Sequence, residues 1–371
     1  MVDFKAEFIR RPPGRFFAER DHIKMRSVIW NNNDQAIELI DQRLLPRVFT
    51  INQYKTHQDL SDAIREMVVR GAPAIGAAAA YGMALAAINF SAKDIPSLRT
   101  NLYEAGETLK ASRPTAVNLA WAVKRMLDVV EAFAGSADDL RQHLLELAEK
   151  IADEDVETNK KISAFGAELI QDGDQIVHHC NTGALATVDY GTALGIIRFA
   201  HEQGKKIHVF VDETRPQLQG SRLTAWELEQ YGIPYDIITD GSSGYLMRKG
   251  LVNKVLFGAD RVAMNGDVAN KIGSYMLALA AYDNAIPAYS VFPISTIDFE
   301  LEHGELIPIE ERDPAEVLEI NLMGKPATPE NAHARNFAFD VTPNRLISGW
   351  ITEKGVIYPP FKENLLKAMD A

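Results

Sequence analysis

Cysteine is nearly missing from this chain: of 371 residues, only Cys180 carries a thiol. That excludes an intramolecular disulfide framework and any zinc site built on several cysteines. Positive charge is also in deficit, with 39 lysines and arginines against 51 acidic residues and a net charge of -12. A general nucleic-acid or anionic-membrane binder is thereby disfavoured, although a local basic pocket for a small phosphate ester stays compatible. No Gly-x-Gly-x-x-Gly opens the strand–helix region, which argues against a nicotinamide cofactor, and no P-loop pattern occurs. The start, Met1 to Glu7, lacks the apolar core of a signal peptide, so a cytoplasmic location is the default expectation. Long hydrophobic runs are limited to residues 72–90. That run is barely long enough to cross a bilayer, is dominated by Ala and Gly, and is interrupted by Asn89. It reads as a helix packed tightly inside a domain.

What is present falls into two rhythms, and 371 residues suit two domains. Residues 1–140 read as a mainly helical N-terminal domain with a small β element. Apolar spacing predicts helices over 60–69, 74–88, 97–109 and 115–133, and short strands at 27–30 and 47–50. A long helix from 137 to about 170, capped by Ser136, bridges the two parts. Residues 141–371 read as a Rossmann-like catalytic domain. Strands are expected at 175–180, 206–212, 235–239, 254–260 and 287–292, with helices near 190–203, 222–231, 243–250 and 268–283. That alternation implies right-handed crossovers and a parallel sheet covered on both faces, so the fold class is α/β. The stretch 300–330 reads as an irregular excursion before a strand pair near 347–351 and 356–358.

The chemistry gathers at strand ends. The run Gln175-Ile176-Val177-His178-His179-Cys180 delivers a thiol to the turn Asn181-Thr182-Gly183, which is how an open α/β sheet presents a reactive group. Lys254-Val255-Leu256-Phe257-Gly258-Ala259-Asp260 delivers a carboxylate in the same way. If both strands belong to one parallel sheet, thiol and carboxylate face one crevice. Cys180 could otherwise be a small buried hydrophobe, and Asp260 a plain ion pair with its neighbour Arg261 or a helix cap. His178 and His179 point to opposite faces of a strand and cannot ligate one metal; structural or solvent roles are expected for them. The run 264–271 lacks a calcium-loop ligand pattern and instead sets polar groups and Lys271 around an expected helix start, where an anion is favoured. Arg70 and Arg113 each precede a turn into a helix and, with Gln219 and Lys271, could clamp a phosphate bidentately.

Several segments together resemble the methylthioribose-1-phosphate isomerase family. They are Arg70-Gly71-Ala72-Pro73-Ala74-Ile75-Gly76, Cys180-Asn181-Thr182-Gly183-Ala184-Leu185-Ala186-Thr187, Arg215-Pro216-Gln217-Leu218-Gln219-Gly220 and Gly258-Ala259-Asp260-Arg261. Residues 265–273, 295–298, 307–312 and 339–343 match as well, so the resemblance covers about 27–358. The family is related in fold to regulatory subunits of the translation-initiation exchange factor and to ribose-1,5-bisphosphate isomerase. The resemblance implies a catalytic pair at Cys180 and Asp260. It places substrate-binding positions at Arg70, Gly71, Ala72, Arg113, Gln219, Asn270 and Lys271. It further implies a homodimer, no metal, no organic cofactor and a step in methionine salvage, with no nucleic-acid or membrane partner. The chain departs from the family at Phe337, where proline is usual, at Gln217, where leucine is commoner, and at the bulky Trp350. Two alternatives stand beside this reading. One is an isomerase of 5-deoxyribose 1-phosphate or ribose 1,5-bisphosphate. The other is a non-catalytic regulatory subunit that senses sugar phosphates or nucleotides.

Overall fold

The computed structural model describes residues 25–114 and 116–370. Three short strands, β1 (Val28–Asn31), β2 (Ala36–Ile40) and β3 (Ile51–Tyr54), pair antiparallel in that order. Five helices follow: α1 (His57–Arg65), α2 (Ala72–Asn89), α3 (Ile95–Ser112), α4 (Val117–Ala132) and α5 (Ala137–Ala167). The starts of α1, α3 and α5 are set by side chains that accept otherwise orphaned backbone N–H groups. Thr56 accepts from Asp59, Asp94 from Ser97, and Ser136 forms a reciprocal capping box with Asp139. Helix α2 carries the 72–90 apolar run and is buried from Ala74 to Ala87. Its alanines and glycines let α1, α3, α4 and α5 pack close around it, as the sequence led us to expect.

Beyond α5 come β4 (Gln175–His178), α6 (Ala193–Glu202), β5 (His208–Asp212), α7 (Ala225–Tyr231), β6 (Tyr235–Ile238), α8 (Ser243–Arg248) and β7 (Lys254–Phe257). Next are β8 (Arg261–Ala263), β9 (Val268–Lys271), α9 (Ser274–Asp283), β10 (Ala288–Val291), β11 (Ile297–Asp298), α10 (Ala315–Leu318), β12 (Asn321–Leu322) and β13 (Lys325–Pro326). The chain closes with β14 (Phe339–Thr342), β15 (Gly349–Thr352), β16 (Gly355–Ile357) and α11 (Phe361–Asp370). The main sheet has the order β16-β15-β10-β7-β4-β5-β6, and all neighbours are parallel except β15 with β16. Its residues alternate between two cores. Val177, Phe210, Val255 and Phe257 join the α9 and α11 side, while Ile176, Val209, Val211 and Leu256 join the α5 and α6 side. A second sheet, β11-β8-β9-β14, stands at the carboxyl end of β7.

The expected α/β class is therefore observed, and the strand order decides where a ligand can sit. Numbered by appearance, the six parallel strands run 3-2-1-4-5-6 from β6 to β15. Chain direction reverses across the sheet between β4 and β7, and a crevice opens at their carboxyl ends.

Two local expectations are corrected. Residues 47–50 are not a strand: Leu44 and Asp41 carbonyls tie residues 44–48 into turns, and pairing with Ile40 starts only at Ile51. Val48 and Phe49 are exposed, so their β-propensity meets no partner strand. Residues 268–271 are a strand rather than the first turn of a helix. They pair with β14 and β8, and the helix begins at Ser274 after Gly273 turns the chain at φ 105°.

Candidate active site

One cavity collects every site residue expected from the sequence: Arg70, Gly71, Ala72, Arg113, Cys180, Gln219, Asp260, Asn270 and Lys271 all line it. Its volume is about 140 Å³. That is room for several waters, and so for a small phosphorylated sugar. It lies where the strand order puts a crevice, with Cys180 two positions past β4 and Asp260 three past β7.

Cys180 leaves its strand in the left-handed region, φ 65°, which a residue with a Cβ adopts only under constraint. Two threonines supply the constraint. The Cys180 N–H donates to Thr214 Oγ1 at 2.9 Å, and its carbonyl accepts from Thr224 Oγ1 at 2.7 Å. Cys180 is 6% exposed. Burial pushes it above the usual thiol range, opposed by the nearby charges of Arg70 and Lys271. Asp260 leaves β7 across Gly258, where a Cβ would come within 2.8 Å of Thr182 Cγ2. Its N–H donates to the Ala269 carbonyl at 2.9 Å, which seats it against β9. Burial pushes the carboxyl up, opposed by Lys271, Arg70 and Arg113. A thiol and a carboxyl, both held towards their protonated forms beside three cations, can exchange protons with a bound sugar.

The cations are placed by backbone carbonyls and by side chains. Arg70 donates from Nη1 to Asn181 Oδ1 at 2.8 Å and from Nη2 to the Asn181 carbonyl at 2.9 Å. The Arg70–Pro73 segment on the cavity wall opens α2, whose first N–H groups favour an anion. Lys271 Nζ donates to the Ala338 carbonyl at 2.8 Å and sits 4.7 Å from the centre of the Phe339 ring; burial lowers its proton affinity. Arg113 lies 3.8 Å from Glu310, and burial pulls its pKa down too. Asn270 is fixed by donating to Ser274 Oγ at 2.8 Å. Gln219 is buried and its Oε1 has no partner among the described residues. Arg261, beside Asp260, ion-pairs instead with Asp298 at 3.7 Å.

Sequence reasoning missed the residues that hold this set. Glu227 is wholly buried and accepts from Asn181 Nδ2 at 2.8 Å and from the Ala184 N–H at 2.7 Å. It thereby fixes the amide that holds Arg70. Arg312 lines the cavity and pairs with Glu316 at 2.6 Å. The only clue to Glu227 was its place between Trp226 and Leu228 in a short helix, among residues that pack inward. His178 and His179, given structural or solvent roles from sequence, are both buried and bonded to protein: His178 Nδ1 lies 3.0 Å from the Leu256 carbonyl.

The Initiation factor 2 subunit family model matches residues 68–359. A methylthioribose-1-phosphate isomerase 2 from Pseudothermotoga lettingae is 53% identical over 346 residues, covering 93% of this chain and 99% of its own. The chain belongs to the methylthioribose-1-phosphate isomerase family. A second family member, from Thermotoga maritima, is 51% identical, with 94% of this chain and 99% of its own length covered. Among solved structures, 5-methylthioribose 1-phosphate isomerase from Pyrococcus horikoshii matches with a TM-score of 0.86 and 44% identity, covering 93% of this chain and 96% of its own. A chain from A. fulgidus described as translation initiation factor eIF-2B, subunit delta, matches with a TM-score of 0.82 and 43% identity, over 93% of this chain and 99% of its own.

Proposed function

We propose that this chain is an aldose–ketose isomerase that converts 5-methylthioribose 1-phosphate to 5-methylthioribulose 1-phosphate in methionine salvage. The observation that carries the reading is the meeting of Cys180 and Asp260 with Arg70, Arg113 and Lys271 in one cavity. A sugar phosphorylated at its anomeric oxygen cannot open to a free aldehyde, so the ring C–O bond must break as hydrogen moves from C2 to C1. Asp260 as an acid would protonate the ring oxygen as that bond breaks. Cys180 as thiolate would take the C2 proton, leaving an enediol-like phosphoenolate. It would then return the proton to C1 while Asp260 recovers one from the C2 hydroxyl. The cations and the start of α2 would hold the phosphate, with Gln219 and Asn270 facing sugar hydroxyls. A direct C2-to-C1 hydride shift is the competing route, in which the pair handles oxygen-bound protons only. Deuterium from heavy water at product C1 supports proton transfer, whereas its complete absence favours hydride.

The delta-subunit likeness raises a second reading, a regulatory subunit that binds a sugar phosphate or nucleotide without turnover. A sensor has no use for an acid–base pair aimed at its ligand. A coupled assay for ketose formation separates the two. It should show turnover with 5-methylthioribose 1-phosphate exceeding that with 5-deoxyribose and ribose 1-phosphates, and no turnover with any of them would remove the isomerase reading. We also propose a division into domains near residue 140, a homodimer in the cytoplasm, and chemistry that needs no metal or organic cofactor.

A further inference from the structure

His179 stands between the strand that ends in His178 and the Cys180 turn. It is fully buried, and its two ring nitrogens face different acceptors. Nε2 lies 2.9 Å from the Ile272 carbonyl, an oxygen that can only accept, so this nitrogen carries a hydrogen. Nδ1 lies 2.9 Å from Asp212 Oδ2, and the other oxygen of that carboxylate already accepts the Ser243 hydroxyl. We propose that His179 is a positioning residue, held as an imidazolium, that pins the Cys180 turn to the end of β5 and to the turn after Lys271.

The three segments joined at this ring are those that present the reacting groups. Cys180 is the next residue along the chain. Thr214, which accepts the Cys180 N–H, is two residues past Asp212. Ile272 follows Lys271, and Gly273 is so close that a Cβ there would lie 2.8 Å from the ring. A ring protonated at Nε2 alone would keep both contacts only if Asp212, whose carboxyl burial pushes up, were itself protonated and donated to Nδ1; the nitrogen NMR below separates that neutral pair from the imidazolium. The facing groups favour the charge. Asp212 comes from β5, Asp240 from the turn after β6 and Asp340 from β14; His178, next to His179 in the chain, is kept neutral by burial, its pKa pulled down to about 4. Burial resists the ring charge, the Asp212 and Asp240 carboxylates outweigh it, and the net shift of the His179 pKa is upward.

His179, Asp212 and Asp240 also have the spacing of a metal-ligand set. Their ligand atoms are otherwise engaged, however. Asp240 accepts the Thr214 and Arg215 N–H groups at 2.7 and 2.8 Å, and Asp212 accepts from Ser243 and His179. Each of those ligand atoms is thus already committed to a hydrogen bond within the protein, which fits a clamp around the ring.

Displacement of a reacting group by roughly 1 Å can cost about a hundredfold in rate while leaving phosphate binding intact. The inference rests on the isomerase reading for its kinetic arm only. The first measurement is nitrogen NMR of histidine-labelled protein at about pH 7, with His179 assigned by its loss in His179→Gln. Signals from two protonated nitrogens are expected, and a single-tautomer pattern overturns the proposal whatever the enzyme does. The second measurement is the kinetics of His179→Asn and His179→Gln, each able to make only one of the two contacts. Both should lower kcat about tenfold to a hundredfold with KM changed less than about threefold. If a variant with the parent's circular dichroism keeps kcat within about twofold, the positioning role is rejected. If the unaltered protein has no turnover, the isomerase reading fails and the NMR result alone decides the protonation claim. Should neither variant fold, the NMR result on the unaltered protein still decides.

Discussion

At the scale of single residues, the proposed acid–base pair has both members kept from ionising by burial and both drawn towards it by nearby cations, Arg70 and Lys271 above all. The sulfur and the carboxyl therefore titrate as a unit. The reactive form in the proton-transfer route is thiolate with carboxylic acid. Thiolate is gained as pH rises through the elevated Cys180 pKa, and the acid is lost as pH rises through the elevated Asp260 pKa. The parent enzyme should show a bell-shaped dependence of kcat on pH. Cys180→Ser and Asp260→Asn should each lose about a hundred- to ten-thousandfold in kcat with KM largely kept. Each variant's residual rate should retain a single limb, rising with pH for Asp260→Asn and falling for Cys180→Ser. Near-normal turnover in either variant, or two limbs in both, would refute the assignment. Much of this scale was legible beforehand, because a thiol or carboxylate ending a strand-like run is visible in one dimension. The partners Glu227, Thr214 and Asp212 were not, since each acts across the fold through an amide, backbone or imidazole contact that no local pattern encodes.

At the scale of elements, the contact between the start of α2 and the 184–186 turn sets how close Arg70 can come to Cys180. Gly71 has φ 95°, and a Cβ on it would lie 2.1 Å from the Ala186 carbonyl oxygen. Gly71→Ala should therefore both strain the backbone and push α2 from the cavity. We expect a loss of about 1–3 kcal/mol from the left-handed conformation alone, measured as a lower melting temperature, together with a raised KM. An unchanged melting temperature and KM would show that the two segments move apart freely. Helix limits were readable because caps are local chemistry, as at Ser136 and Asp139. The strand at 268–271 was misread because Val-Ala-Asn-Lys has no intrinsic preference strong enough to announce it. Its identity comes from two flanking strands, one of them about seventy residues further on. The strand β2 was not expected at all, and it too exists through its pairing on both sides.

At the scale of the whole molecule, the helical part and the sheet part meet through polar ties around the site. The Ser27 N–H donates to the Val188 carbonyl at 2.8 Å, and Gln42 Nε2 to the Leu185 carbonyl at 2.6 Å. Arg222 donates to the carbonyls of Gln42 at 2.9 Å, Arg43 at 3.1 Å and Leu45 at 3.3 Å. Removing that guanidinium leaves carbonyls without their donor, at a cost of about 1–3 kcal/mol. Arg222→Ala should melt earlier and speed hydrogen exchange in residues 41–45, and Arg222→Lys should recover only part of the loss because an ammonium lacks the planar fork. Exchange unchanged in that loop would mean that other contacts hold the junction. The parallel architecture was readable from the alternation of strands and helices; the strand order was not, because it depends on which crossovers turn left or right along the sheet.

The walls of the hollow are drawn from Met67 at one extreme to Phe339 at the other. No fragment shorter than residues 67–339 contains all of it. In a nascent chain Cys180 and Asp260 both emerge before β14, so the hollow is not fully walled until β14 pairs with β9. A chain truncated before Phe339 should therefore lack turnover, whatever the state of its thiol and carboxyl.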